Sequence, residues 1–137
     1  MPSLTRRVSF TATHRYWRSD WSAVRNEQRF GAASEPHAHD YACDVTVSGP
    51  IDDDTGMIID LGMLDRALDR EVRSRFHGTS ITVNVPEFAD GKLIPTCENL
   101  ARFIFERVAP SLTGTARLTS VIVREDHTIS AEFTGEG

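Results

Sequence analysis

Two stretches of alternating apolar and polar residues constrain the fold of this chain more than any other feature. The first covers residues 8–14 and ends at His14, and the second covers residues 38–49, directly after His37. Side chains alternate between the two faces of an extended strand, so each stretch predicts a β-strand with one covered and one wetter face. If the residues between them form a single connection, the two strands pair antiparallel. The sequence therefore predicts histidines where one strand ends and the next begins.

These histidines are the first candidates for a functional site. His37 and His39 lie two residues apart, so both imidazoles project from the same strand face and can reach one ion. His14 would join them from the neighbouring strand. Three neutral imidazoles without a fixed carboxylate favour zinc, with water or substrate in the fourth position. The alternative interpretation is a set of ordinary polar strand residues, because a His-x-His pair alone does not specify a metal site.

Length and charge bound the class of protein. The 137 residues predict one domain, residues 1–137, with one core. The formal net charge of -5 argues against nucleic acid or an anionic membrane as the main partner, because either calls for a basic face. Cys43 and Cys97 make no disulfide framework, the N-terminus lacks the apolar core of a signal peptide, and no apolar run reaches membrane-spanning length. We therefore expect a cytoplasmic protein with neither nucleic-acid nor membrane partners.

Two amphipathic helices and a hairpin are predicted after the second strand. Asp60 and Thr96 can each cap a helix. The apolar faces of these helices consist of Leu61, Leu64, Leu68 and Val72, and of Leu100, Phe103, Ile104 and Val108. Strands at about 115–124 and 128–134 are joined by three residues, which is short enough for a hairpin. The predicted fold is α+β, with two helices on one face of a four-stranded antiparallel sheet.

Six motifs spread over residues 10–133 resemble the 6-pyruvoyl-tetrahydropterin synthase and 6-carboxytetrahydropterin synthase family. They are, in order, Phe-Thr-Ala-Thr-His (10–14), Phe-Gly (30–31), His-Ala-His-Asp-Tyr (37–41), Gly-Met-Ile-Ile-Asp-Leu (56–61), Pro-Thr-Cys-Glu-Asn-Leu-Ala (95–101) and Val-Arg-Glu (123–125). In that family the three histidines hold zinc, and the usual His-Gly-His is here His-Ala-His. The resemblance implies the tunnelling fold, in which subunits join their sheets into a barrel with active sites between subunits. A homohexamer that binds a pterin or related heterocycle is therefore implied.

The resemblance also implies which residues bind substrate. Glu125 matches the family's pterin anchor, where a carboxylate accepts the ring N–H and the adjacent exocyclic amine in parallel. By itself this residue would be interpreted as a solvated acid in a hairpin. Thr96 is first a helix cap, and contact with the substrate is its second interpretation.

Two members of the family's proton-transfer machinery are missing from the sequence. The cysteine that the family uses as a base falls on Ala33, and the aspartate of its Asp-His step falls on Phe76. A positioned general base typically adds about 10² to 10⁴ in rate, so the parent reaction needs a substitute. Glu35, two residues before the histidine pair, and the retained His77 are the candidate catalytic residues.

The leading hypothesis is a zinc-dependent 6-pyruvoyl/6-carboxy-tetrahydropterin synthase-like lyase that acts on the C6 side chain of a reduced pterin such as 7,8-dihydroneopterin triphosphate. One alternative is a repurposed zinc enzyme of specialised metabolism with a different substrate, motivated by the joint loss of cysteine and aspartate. The other is a non-catalytic pterin-binding homologue. The arginines of residues 15–36 either receive a phosphate tail or are solvated beside the tryptophans of that connection.

Overall fold

A sheet of five strands organises the computed structural model, which describes residues 1–135. Its strands are β1 Ser3–His14, β2 His37–Ser48, β3 Thr79–Ser80, β4 Arg117–Arg124 and β5 Ser130–Phe133. The spatial order is β3-β1-β2-β4-β5. The four longer strands pair antiparallel, which confirms the predicted four-stranded arrangement. The short β3 runs parallel to β1 and is an addition that no alternating pattern indicated, because two residues are too few to form one.

The pairing of β1 with β2 determines where the histidines lie. His14 is opposite His37, and Ala12 is opposite His39. The next pair along, Phe10 and Tyr41, is buried against the helices, with ring centroids 4.8 Å apart. Because side chains alternate along a strand, all three histidines share the helix-covered face with this aromatic pair. They therefore lie at one end of the sheet, above the apolar core.

The helices confirm the two sequence-predicted caps. They are α1 Ala23–Phe30, α2 Leu61–Leu68, α3 Ser74–Phe76, α4 Ile81–Asn84 and α5 Cys97–Val108. The Asp60 carboxylate accepts a hydrogen bond from Gly62 N at the start of α2, and the Thr96 hydroxyl accepts one from Asn99 N at the start of α5. A π-helical turn at Asp69–Arg73 links α2 to α3. The connection between β1 and β2, which the sequence left open, contains α1.

The main helices and the sheet share one apolar core. Leu64 of α2, Leu100 and Ile104 of α5, and Val45 of β2 have no exposed surface. Burying each such side chain contributes about 1.5–3 kcal/mol relative to leaving it in water. Both main helices therefore cover the same face of the sheet, as predicted. None of the helices in residues 1–135 is long and apolar enough to cross a lipid bilayer.

Candidate metal centre

Three imidazoles and one carboxylate converge where β1 ends and β2 begins. The ring centroids of His14, His37 and His39 lie 4.6–5.1 Å from one another. Together with Glu125 they offer four ligand atoms, all within 4.8 Å of one another. The structure therefore brings together the three histidines that the sequence singled out, and adds a carboxylate to them.

Backbone carbonyl groups set the tautomers of two of these histidines. His14 Nδ1 lies 2.8 Å from the carbonyl oxygen of Pro95, and His37 Nδ1 lies 2.7 Å from that of Glu35. A carbonyl oxygen only accepts, so Nδ1 must carry the proton in both rings. In the neutral imidazole, Nε2 then carries no proton, and its lone pair is available to a metal ion. This is the arrangement by which outer partners orient histidines that ligate metals.

His14 is the most deeply buried member of the cluster. Its side chain is 1 % exposed, and its Nδ1 is also 3.0 Å from the hydroxyl oxygen of Tyr41. Burial holds the pKa of His14 below its ordinary value, and the neighbouring His37 lowers this pKa further. Because a metal ligand must be a neutral imidazole, this environment suits ligation.

Glu125 corrects the expectation that the site has no fixed carboxylate. It directly follows β4, where Arg124 pairs with Ala42 of β2, and it is only 7 % exposed. Its Oε1 atom lies 2.9 Å from His14 Nε2 and 2.7 Å from His39 Nε2. The sequence pattern missed this contact because it depends on the pairing of β2 with β4. These strands are far apart along the chain, as the hydrogen bond from Arg124 to Asp44 spans 80 residues.

A thiol contacts the other oxygen of this carboxylate. Cys97 Sγ lies 3.8 Å from Glu125 Oε2, at the start of α5. Burial raises the pKa of the Cys97 thiol to about 12, and the nearby Glu125 carboxylate adds to this shift. The thiol is therefore protonated at neutral pH and donates to the carboxylate. The sequence placed Cys97 at a helix start but gave no sign that it reaches Glu125.

The donor set fits a zinc ion. The buried His39 Nε2 has a short contact with Glu125 Oε1 but lacks the alignment of a hydrogen bond, so among residues 1–135 this nitrogen has no hydrogen-bonding partner. The bare Nε2 of His14 faces the same oxygen. The lone pairs of His14 Nε2 and of this carboxylate oxygen repel each other unless a cation lies between them. Imidazole nitrogens and carboxylate oxygens are both common zinc ligands.

Thr96 and Glu35, the other predicted site residues of this region, differ in what their side chains contact. Thr96 lies between Pro95 and Cys97, both of which contact the cluster, but its hydroxyl accepts the capping hydrogen bond of α5. The Glu35 side chain is exposed, and within residues 1–135 it makes no hydrogen bond or ion pair. The Glu35 backbone carbonyl, by contrast, orients His37.

His77 lies away from the histidine cluster of its own chain. Its Nδ1 accepts a hydrogen bond from Thr11 N at the outer edge of β1, and Gly78, with φ of 74°, turns the chain so that its N–H donates to Thr11 O. His77 borders a shallow cavity of about 270 Å³ with Thr11, Asp40 and Arg73, whereas the cluster occupies the other sheet face. Phe76 is fully buried in the core, so position 76 offers no acid to orient His77.

Comparison with known proteins assigns the chain to a family. The family model for 6-pyruvoyl tetrahydropterin synthase matches residues 3–136. The chain belongs to the 6-pyruvoyl tetrahydropterin synthase family. A 6-pyruvoyl tetrahydrobiopterin synthase from Pongo abelii is 35% identical over 107 residues, covering 77% of this chain and 72% of that protein. A 6-carboxy-5,6,7,8-tetrahydropterin synthase from Aquifex aeolicus is 23% identical over 158 residues, covering 97% of this chain and 98% of that protein.

Solved structures of the family have the same fold. The structure of 6-pyruvoyl tetrahydropterin synthase from Caenorhabditis elegans matches with a TM-score of 0.87 and 26% identity, covering 99% of this chain and 98% of that one. The structure of the Plasmodium vivax enzyme, at 12% identity, matches with a TM-score of 0.66 and supports the fold alone. The tunnelling-fold prediction is therefore confirmed for the single chain.

Proposed function

We propose that this chain is a zinc-dependent lyase of its family, a single tunnelling-fold domain over residues 1–137. Its substrate would be a reduced pterin such as 7,8-dihydroneopterin triphosphate, changed at the C6 side chain. The observation that carries the proposal is the convergence of His14, His37 and His39. Their ligand atoms and a buried carboxylate oxygen all lie within 4.8 Å of one another. Names of relatives from both branches of the family support a pterin substrate.

His14, His37 and His39 would hold the zinc ion. Bound there, zinc would supply a Lewis acid that polarises the oxygens of the substrate side chain. The carbonyl oxygens of Pro95 and Glu35 would keep two of the three rings in the ligating tautomer. The buried surroundings of His14 exclude water from one side of the site.

Glu125 and Thr96 would bind the pterin. The Glu125 carboxylate is buried beside the histidines, and it can accept both donors on the edge of a pterin ring. The Thr96 hydroxyl accepts a capping hydrogen bond, and its own proton remains available for a substrate acceptor. Both residues lie on the helix-covered side, close to the proposed zinc ligands.

His77 and Glu35 would move protons. Because Thr11 N–H donates to His77 Nδ1, neutral His77 carries its proton on Nε2 and is a hydrogen-bond donor in this arrangement. For His77 to accept a proton at Nδ1, this bond must break. The exposed Glu35 carboxylate makes no hydrogen bond within residues 1–135, so it can accept a proton without breaking one.

The positions of His77 and of the sheet edges support a homohexamer with active sites between subunits. Since His77 lies on the face opposite the cluster, it would serve a neighbouring subunit. Within residues 1–135, the outer edge of β1 pairs only at Ala12 and Thr13, and β5 has no strand on its outer side. Unpaired strand edges of this kind join readily to other strands. In a sedimentation experiment we expect the protein to have six times the chain mass of 15.3 kDa.

The decisive experiment is turnover by the zinc-loaded protein. Incubation with 7,8-dihydroneopterin triphosphate, followed by mass spectrometry, should give either 6-carboxytetrahydropterin with acetaldehyde or a 6-pyruvoyl product. The Glu35→Gln variant should lose about 10² to 10⁴ in kcat while keeping its zinc, and Glu27→Gln, a change at an exposed glutamate of α1, should match the parent protein. A folded protein that binds neither zinc nor pterins would refute the proposal.

A second candidate function is a zinc enzyme of specialised metabolism with a different substrate. The observation that favours it is the burial of Phe76, which stacks on Phe10 with ring centroids 5.3 Å apart. Position 76 is thereby committed to the core rather than to proton transfer. Turnover of 7,8-dihydroneopterin triphosphate at an ordinary enzymatic rate would exclude this candidate, whereas zinc binding without such turnover would favour it.

A further inference from the structure

We propose that Glu125 is a fourth protein ligand of the metal when no pterin is bound, and that Cys97 holds the carboxylate in the ligating orientation. The inference rests on the zinc site of the proposed function but not on its lyase activity. It gives this carboxylate a role that the three-histidine site and the pterin anchor do not include.

The distances place one oxygen of Glu125 among the ligating nitrogens. Oε1 is 2.9 Å from His14 Nε2 and 2.7 Å from His39 Nε2. Two ligands of one tetrahedral zinc ion lie about 3.3 Å apart, given metal–ligand bonds of about 2.0–2.1 Å. A small outward movement of Glu125 therefore brings this oxygen to the spacing of a ligand that shares an ion with both histidines.

Charge balance leads to the same assignment. Glu125 is 7 % exposed, and no lysine or arginine of residues 1–135 lies within ion-pairing distance of it. The nitrogens that face it are the bare Nε2 of His14 and the unpartnered Nε2 of His39. Buried carboxylates are normally paired with a cation or coordinate a metal. A divalent cation bound by both nitrogens and by Oε1 satisfies all three groups.

Cys97 separates the roles of the two carboxylate oxygens. Its S–H donates to Oε2 at 3.8 Å, which leaves Oε1 facing the imidazoles. Cys97 is also held firmly, because it is the first residue of α5 and is 2 % exposed. Two residues earlier, Pro95 orients His14 through its carbonyl oxygen. The start of α5 therefore orients two of the four proposed ligands.

This arrangement makes metal ligation and pterin binding compete for one carboxylate. A carboxylate that accepts the two parallel donors of a pterin edge uses both oxygens and cannot also hold the metal in the same geometry. Pterin binding would then free one coordination position. The centre would have four protein ligands without pterin and three with it, which corresponds to the difference between closed and open zinc sites.

Metal titration of the whole protein tests the inference without any measurement of turnover. Zinc affinity is measured by competition with a chromophoric chelator for the parent protein, for Glu125→Gln, and for Glu98→Gln, a change at an exposed glutamate of α5. We expect the dissociation constant to rise about 10- to 100-fold in Glu125→Gln and to stay unchanged in Glu98→Gln. Cys97→Ala should weaken zinc binding by a smaller factor. A circular-dichroism spectrum identical to that of the parent protein establishes that each variant is folded.

A second readout uses the parent protein alone and does not depend on a variant. The visible spectrum of the cobalt(II)-loaded protein should change when 7,8-dihydroneopterin is added, as the carboxylate leaves the metal. The Glu125→Gln spectrum should resemble the pterin-bound parent before any pterin is added. Parent-like zinc affinity together with a parent-like cobalt spectrum in folded Glu125→Gln would overturn this inference alone. Failure of the parent protein to bind zinc would overturn both it and the proposed function.

Discussion

Two polar clusters on the central strand β2 differ in how their charges are balanced. Asp44 accepts hydrogen bonds from Arg7 at 2.7 and 3.0 Å and from Arg124 at 3.2 Å. Five residues earlier along the strand, His39 and Glu125 meet with no lysine or arginine within ion-pairing distance in the part of the chain that the structure describes. In the first cluster, arginines of the protein itself balance the charge of the carboxylate. The second needs a cation from solution, which is the physical reason to interpret it as a metal centre.

The largest effect should follow from removing a proposed metal ligand. In His14→Ala we expect zinc affinity to fall by more than about 100-fold, because even outer partners of ligands are typically worth 10- to 100-fold. Competition titration measures this loss, and His127→Ala, at an exposed hairpin turn, is the matched control. Equal zinc affinity in His14→Ala and His127→Ala would remove the contrast between the two clusters.

A change in the Asp44 cluster should affect stability instead of metal binding. Asp44→Asn weakens charge-assisted hydrogen bonds to Arg7 and Arg124, so we expect a loss of about 1–3 kcal/mol in the free energy of unfolding. Zinc affinity should stay at the parent value, since Asp44 faces away from the helix-covered side. Urea unfolding and zinc titration of the same preparation measure both quantities. A loss of zinc affinity in folded Asp44→Asn would show that the two clusters are not independent.

The stability from Asp44 should depend on pH in a defined direction. Hydrogen bonds from Arg7 hold the pKa of Asp44 below its ordinary value of 3.8, with a further contribution from Arg124. A lowered folded-state pKa gives stability that is present above the unfolded-state pKa and is lost as the pH falls through the folded-state pKa. The difference in unfolding free energy between the parent and Asp44→Asn should therefore be constant above about pH 5 and shrink below about pH 4. A difference that grows on acidification would contradict this assignment.

The smallest expected effect concerns the second partner of His14 Nδ1. Tyr41→Phe removes a hydroxyl 3.0 Å from that nitrogen, but the carbonyl oxygen of Pro95 still accepts its proton. Zinc affinity should therefore fall by less than about tenfold, below the usual range for outer partners that act alone. The same competition titration measures it. A loss as large as that in His14→Ala would mean that the hydroxyl, and not the carbonyl, sets the ring tautomer.

The local features of this protein were predictable from its sequence, and the long-range contacts were not. Strict alternation predicted β1 and β2 with the histidines at one end, and the caps at Asp60 and Thr96 need only a few neighbouring residues. The contact between Cys97 and Glu125 depends on how α5 meets the end of β4, which no local pattern specifies.

His77 illustrates the same limit for a single residue. The sequence identified it as a candidate for proton transfer, but its position depends on the turn at Gly78 and on a hydrogen bond to Thr11, 66 residues away. Its partner position, Phe76, could have been an acid or a core residue by local criteria. Packing against Phe10 decides in favour of the core. The histidine cluster and the core were therefore accessible to sequence reasoning, whereas the placement of the proton-transfer candidates was not.

The most direct test of the metal centre is anomalous diffraction at the zinc edge from a crystal of the zinc-loaded protein. We expect one strong peak per chain, within about 2.0–2.1 Å of the Nε2 atoms of His14, His37 and His39. No peak at that position, or zinc bound only elsewhere on the surface, would contradict the claim that these buried polar groups form a metal site.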